Sequence, residues 1–156
     1  MMPDHALRYI RVKPVLLISF LLLLISSSGL TDPLSLERTV KAATTFTVNS
    51  IGDGADSNLA DGLCNDGSGA CTLRAAIQQA NSVSGDDTIA FSLPGSSIIS
   101  LGSALDPISG NLIFNGPGIN ALTVRRSTAG GTPDFRVFTI NSGQNVTISG
   151  MTISGT

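Results

Sequence analysis

Gly110-Asn-Leu-Ile-Phe-Asn-Gly116 and Gln144-Asn-Val-Thr-Ile-Ser-Gly150 follow one pattern: an asparagine opens each strand, apolar residues recur along it, and a glycine closes it. Apolar residues at a period of two mark a strand with one buried face. Six such segments lie between Asp86 and the end of the chain: Thr88 to Ser92, Ser97 to Leu101, Asn111 to Asn115, Ala121 to Arg125, Arg136 to Ile140, and Asn145 to Ser149. Taken alternately, their centres at Ala90, Ile113 and Phe138, and at Ile99, Thr123 and Thr147, recur every 23 to 25 residues. A repeat of that length with two strands in it is too long for hairpins and fits one coil of a parallel β-solenoid, each coil covering the next. Ile89, Phe91, Leu112, Phe114, Phe138, Ile140, Val146 and Ile148 then fill a continuous interior. An antiparallel sandwich, with turns about every 8 to 12 residues, is the competing arrangement. From Asn145 to Thr156 the chain reads as strand, turn, strand with no polar cap, which predicts an incomplete last coil and a longer, truncated protein.

At the other end, Arg8, Arg11 and Lys13 precede the apolar run Val15 to Ile25, the form of an export signal. Cleavage fits after Gly29 or after Ala42, and the second is preferred because Thr44-Thr-Phe-Thr-Val48 already reads as a strand. The apolar core is short of the roughly 20 residues a membrane span needs, so any membrane contact comes only through an uncleaved leader. The predicted localisation is secreted or cell-surface. Residues 1–42 are assigned to the signal, 43–85 to an N-terminal segment and 86–156 to the first coils.

After Ala42 there are eight aspartates and four arginines, a net charge of −4, and no Lys, Glu or His. Histidine triads, histidine metal sites and lysine Schiff bases are thereby excluded from this region. Nucleic acid is excluded as a partner, because no basic stripe exists to neutralise phosphates. Cys64 and Cys71 are close in sequence, and in an exported chain they predict a disulfide. The loop from Asn49 to Gly69 is dense in Asp, Asn, Gly and Ser, residues that fold onto their own backbone. Within it Asp53, Asp56, Asp61 and Asp66 are calcium candidates by donor chemistry, although their spacing is not that of an EF-hand. Apart from calcium no cofactor is expected.

One helix is predicted from Thr72 to Asn81. Thr72 is its N-cap, Leu73, Ala76, Ile77 and Ala80 form its apolar stripe, and Asn81 takes the C-terminal left-handed position. So short a helix needs a larger surface to lie on.

Cys71-Thr-Leu-Arg-Ala-Ala-Ile-Gln-Gln-Ala-Asn81, preceded by Thr45-Phe-Thr-Val-Asn-Ser50 and the Asp-Gly loop, resembles the CSLREA domain of bacterial exported proteins. The match runs from about Thr44 to Asn81. The resemblance implies a short helix capping the N-terminus of a right-handed parallel β-helix of the pectin-lyase-like type, and it carries no catalytic residue. Ala75 stands where that family usually has Glu, which would leave Arg74 short of a partner. Arg125, Arg126 and Arg136, with only Asp134 nearby, read as solvated strand residues rather than lyase groups. The functional expectation is a non-catalytic secreted or surface β-helix protein, adhesin-like or an extracellular-matrix module, whose partners are extracellular polysaccharide or cell-surface components. The alternative is the N-terminal part of a carbohydrate-active β-helix enzyme, lyase or hydrolase, with its active site beyond Thr156.

Overall fold

Seven strands and one helix are found in the computed structural model, which describes residues 42–155. The expected leader, but for Ala42, lies outside them. Val40 to Thr156 forms a compact unit by itself. In chain order the elements are β1 (Thr45–Val48), α1 (Leu73–Ser82), β2 (Asp87–Phe91), β3 (Ser97–Leu101), β4 (Leu112–Asn115), β5 (Leu122–Arg126), β6 (Val146–Ser149) and β7 (Thr152–Ser154). They make an all-β arrangement of two sheets, ordered β1-β2-β4-β6 and β3-β5-β7, with every strand pair parallel. The antiparallel sandwich is therefore excluded for these strands.

Register stacks like side chains on like. Phe46 faces Ile89, Ile89 faces Phe114 and Phe114 faces Ile148, while Ile99 faces Val124 and Val124 faces Ile153. Phe46, Ile89, Phe114, Ile99 and Val124 are buried, so the apolar set chosen by strand alternation fills the space between the sheets. The outward line of the larger sheet is Thr45, Thr88, Ile113 and Thr147. A one-residue slip would exchange these two lines, which is why the register is strongly specified.

The turns into and out of the larger sheet are stacked as well. Asn111 Nδ2 donates to Asp86 Oδ1 at 2.9 Å, and Asn145 N donates to Asn111 Oδ1 at 2.8 Å, so the strand-opening asparagines form a ladder. The closing glycines lie against each other: a Cβ on Gly116 would collide with the Gly150 carbonyl, and Gly150 has φ +65°. Only glycine fits both positions.

Two expectations are corrected. Arg136 to Ile140 is not a strand; its only pairing is a single parallel bridge between Ile108 and Ile140. Ile140 is 46% exposed rather than interior, whereas Val137 is buried. The cause is the preceding chain, where Gly130, Gly131 and Pro133 spend the backbone on turns. Spacing is also less regular than 24. Asp87 faces Leu112 and Ser97 faces Leu122, each 25 residues on, but Leu112 faces Val146, 34 residues on. The extra residues lie in the Ser127–Gln144 excursion, pinned where Arg126 Nη1 bonds the carbonyl oxygens of Thr132 and Pro133 and pairs with Asp134 at 2.9 Å.

Candidate functional site

Between β1 and β2, 43 residues apart in register at Thr45 and Thr88, the chain makes one long excursion that contains the aspartate loop, both cysteines and α1. Most of the side-chain hydrogen bonds among the described residues fall in this excursion. Its helix starts as the sequence predicts: Thr72 Oγ1 accepts from Ala75 N at 3.0 Å and donates to Gly54 O at 2.6 Å. Leu73, Ala76, Ile77 and Ala80 are buried in the core cluster with Phe46, Ile89 and Ile108. Cys64 and Cys71 form a disulfide with their Cα atoms 5.1 Å apart. Cys71 is also tied to the end of β1, for its carbonyl accepts from Asn49 N and Ser50 N and its N–H donates to Asn49 Oδ1.

Arg74 is the centre of the site, with its side chain only 10% exposed. Its Nε and Nη2 both bond Asp53 Oδ1, at 2.9 and 2.8 Å, while Nη1 donates to Ala104 O and Nη2 to Ser103 O. Asp53 Oδ2 in turn accepts from Gly102 N at 2.8 Å. A cation in the first turn of a helix opposes the helix dipole. Here the paired carboxylate offsets that cost. The partner that Ala75 leaves unsupplied therefore comes from Asp53 in the loop, which corrects the expectation of an unsatisfied arginine; Ala75 itself is fully buried.

A second, polar stripe on α1 runs through Arg74, Gln78 and Asn81. Gln78 Oε1 accepts from Asp56 N at 2.8 Å and its Nε2 donates to Asp106 Oδ2 at 2.6 Å. Asn81 Nδ2 donates to Pro107 O, and Asn81 Oδ1 accepts from Ser109 N. Asn81 thus sits inside the helix, not in a left-handed terminal position; Val83 follows as C-cap with extended backbone. Its amide is held by the β3–β4 connection, and that tertiary contact outweighs the capping preference. Sequence reading found the apolar stripe and missed this one, although the i, i+4, i+7 spacing of Arg74, Gln78 and Asn81 was its signal.

The remaining aspartates order their own loop. Asp56 accepts from Asn58 N and Asn65 N, Asp61 from Leu63 N, and Asp66 from the N–H and hydroxyl of Ser68. Asn65 Oδ1 receives both Gly67 N and Gly69 N. The Ser68 hydroxyl, then its N–H, hold the Asp66 carboxyl below the ordinary aspartate range. Asp53, Asp56, Asp61 and Asp66, the calcium candidates, are not brought together. Among the described residues no three Asp, Glu, His or Cys side chains converge as a metal group.

Arg125 Nε reaches Ser100 Oγ at 3.3 Å, and Arg126, Asp134, Phe135 and Arg136 line a surface groove of about 400 Å³. No helix among the described residues is long and apolar enough to cross a membrane. Comparison of the chain with family models, curated proteins and solved structures found no match.

Proposed function

We propose that this chain is a non-catalytic secreted or cell-surface protein built as a right-handed parallel β-helix, in which a CSLREA-type segment from Thr44 to Asn81 caps the first coil. Its partners in this reading are extracellular polysaccharide or cell-surface components. One observation carries the capping role: the Arg74 guanidinium joins the loop through Asp53 to the β3–β4 connection through Ser103 and Ala104. The parallel stacking of β1, β2, β4 and β6 supports the coil arrangement, and the disulfide supports an oxidising destination. A bare first strand would expose unpaired backbone groups to other chains, and a bonded loop-and-helix segment beside it prevents that.

The test is removal of Thr72 to Asn81, alongside Arg74→Ala with the helix kept. Both are expected to produce oligomers or aggregates on light scattering, the deletion more strongly. A deletion product that stays monomeric and melts with the parent would refute the capping role.

A further inference from the structure

We propose that a pocket beside α1 binds one neutral sugar ring, an end or branch unit of an uncharged extracellular polysaccharide. This rests on the polysaccharide reading above and narrows it. The pocket, of about 350 Å³, is lined by Leu59, Gln78, Asn81, Asp106, Pro107 and Asn141. That volume is at the small end of the about 300 to 1,000 Å³ of ligand sites, which suits a single ring. Four separate stretches of chain meet there. Leu59 comes from the aspartate loop, where its carbonyl accepts from Gln79 Nε2 at 3.3 Å. Gln78 and Asn81 come from α1, and Asp106 and Pro107 from the β3–β4 connection. Asn141 belongs to the excursion after β5; the bridge between Ile108 and Ile140 delivers it, and Asn141 N donates to Ile108 O at 3.0 Å. The excursion that breaks the regular strand spacing therefore completes the pocket.

The polar groups left over define the ligand. Gln78 Nε2 donates to Asp106 Oδ2 at 2.6 Å, and Asn81 Nδ2 donates to Pro107 O at 3.0 Å. Each amide nitrogen carries two hydrogens, so each keeps one N–H to spare. Asp106 Oδ1 and the Asn141 side-chain amide have no hydrogen-bond partner among the described residues. The pocket thus offers N–H donors from α1, an oxygen of the half-buried Asp106 carboxylate as acceptor, and an exposed amide that is both. Ring hydroxyls, each donor and acceptor at once, answer such a mixed set. Leu59, 48% exposed, and the exposed Pro107 supply apolar surface for the C–H face of a ring. None of the described arginines lines the pocket, and the Asp106 carboxylate repels another, which disfavours uronates. Three of the four polar residues are neutral amides, and Gln78 already takes one oxygen of the carboxylate, which favours an uncharged ligand over a cation.

The experiment is heteronuclear NMR of the side-chain amides of the oxidised protein. It is titrated to about 50 mM with the methyl glycosides of glucose, galactose, mannose and N-acetylglucosamine, and separately with glucuronate and glucosamine. The expected result is a saturable shift of the Asn141, Gln78 and Asn81 amide signals by at least one neutral glycoside, with a Kd on the order of 1 mM to 10 mM. Glucuronate binds at least about tenfold more weakly. Asn141→Ala, and Asp106→Asn, which keeps an acceptor for Gln78, each weaken binding roughly three- to tenfold. Melting matched to the parent establishes that they fold, and Asn141→Ser and Leu59→Asp stand in for one that does not. The absence of a saturable shift from every neutral glycoside overturns the proposal. So does binding that the folded variants leave unchanged, or glucuronate or glucosamine bound as tightly as the best neutral glycoside. Retention of the parent on insoluble cellulose, starch and chitin is measured alongside. A parent retained there with no glycoside shift overturns the pocket and leaves the polysaccharide reading standing, whereas a parent neither retained nor shifted removes both.

Discussion

Replacing Arg74 by alanine removes a guanidinium whose side chain is 10% exposed and which bonds Asp53, Ser103 and Ala104. Four acceptor oxygens, Asp53 Oδ1 and O, Ser103 O and Ala104 O, then lose their donor at once. Breaking a buried pair from one side typically costs about 3 to 5 kcal/mol. Asp53, at 23% exposure, can still reach water, which sets the expected loss near the lower end, about 3 kcal/mol. Asp53→Ala is expected to cost at least as much, because it leaves a cation in the first turn of α1 with only the backbone carbonyl oxygens of residues 53, 103 and 104 and an opposing helix dipole. The double variant should cost less than the sum, by about 1 kcal/mol or more, since neither partner is then left alone. Urea unfolding of the oxidised unit, followed by far-UV circular dichroism, measures all three. A domain of this size has only about 5 to 15 kcal/mol in total, so the shift in midpoint is large. Losses under about 1 kcal/mol for both single variants, the value of a solvent-exposed pair, would refute the reasoning.

Gly116→Ala places a Cβ on the Gly150 backbone; a loss of about 2 kcal/mol or more is expected by thermal melting, and a neutral change would mean the two turns can separate. Reducing Cys64–Cys71, whose sequence separation is 7, is expected to cost about 2 to 3 kcal/mol, read from unfolding with and without reductant. Ser68→Ala should raise the Asp66 carboxyl toward the ordinary aspartate value, read by carboxyl NMR titration. Because the folded value is lowered, the stabilising contribution is present above the unfolded aspartate range and is lost as pH falls through the lowered folded value; a midpoint unchanged by the substitution would remove Ser68 as the cause.

The strands were legible because their inward residues repeat in register. Leu112 and Phe114 recur as Val146 and Ile148, each flanked by the same asparagine and glycine, and those positions do stack. The helix was legible from Thr72 and the stripe through Ile77. What escaped was decided by contacts distant in the chain. Arg136 to Ile140 has the composition of a strand, but Ile140 finds only a bridge to Ile108 after the Gly- and Pro-rich turn ahead of it. Asn81 has the chemistry of a helix terminator, yet Pro107 and Ser109 hold its amide. Ala75 offers Arg74 no partner, and the one it has, Asp53, lies 21 residues away. The aspartates of the loop show the same ambiguity at short range: one sequence of oxygen donors suits a cation or a series of turns, and backbone N–H groups claim most of them here.

Every ladder among the described residues joins positions at least 25 apart, from Asp87 and Leu112 to Thr45 and Thr88. Among the described residues no hairpin exists to start a sheet, so assembly has the slow character of non-local pairing. The short-range structure is concentrated in the aspartate turns, the disulfide ring and α1, all encoded before β2. Chains emerge from the N-terminus, and this segment emerges before its neighbours. β2, β4 and β6 can then be added in sequence order, each to an edge already formed, which makes β1 and its bonded loop a template for the growth of the larger sheet.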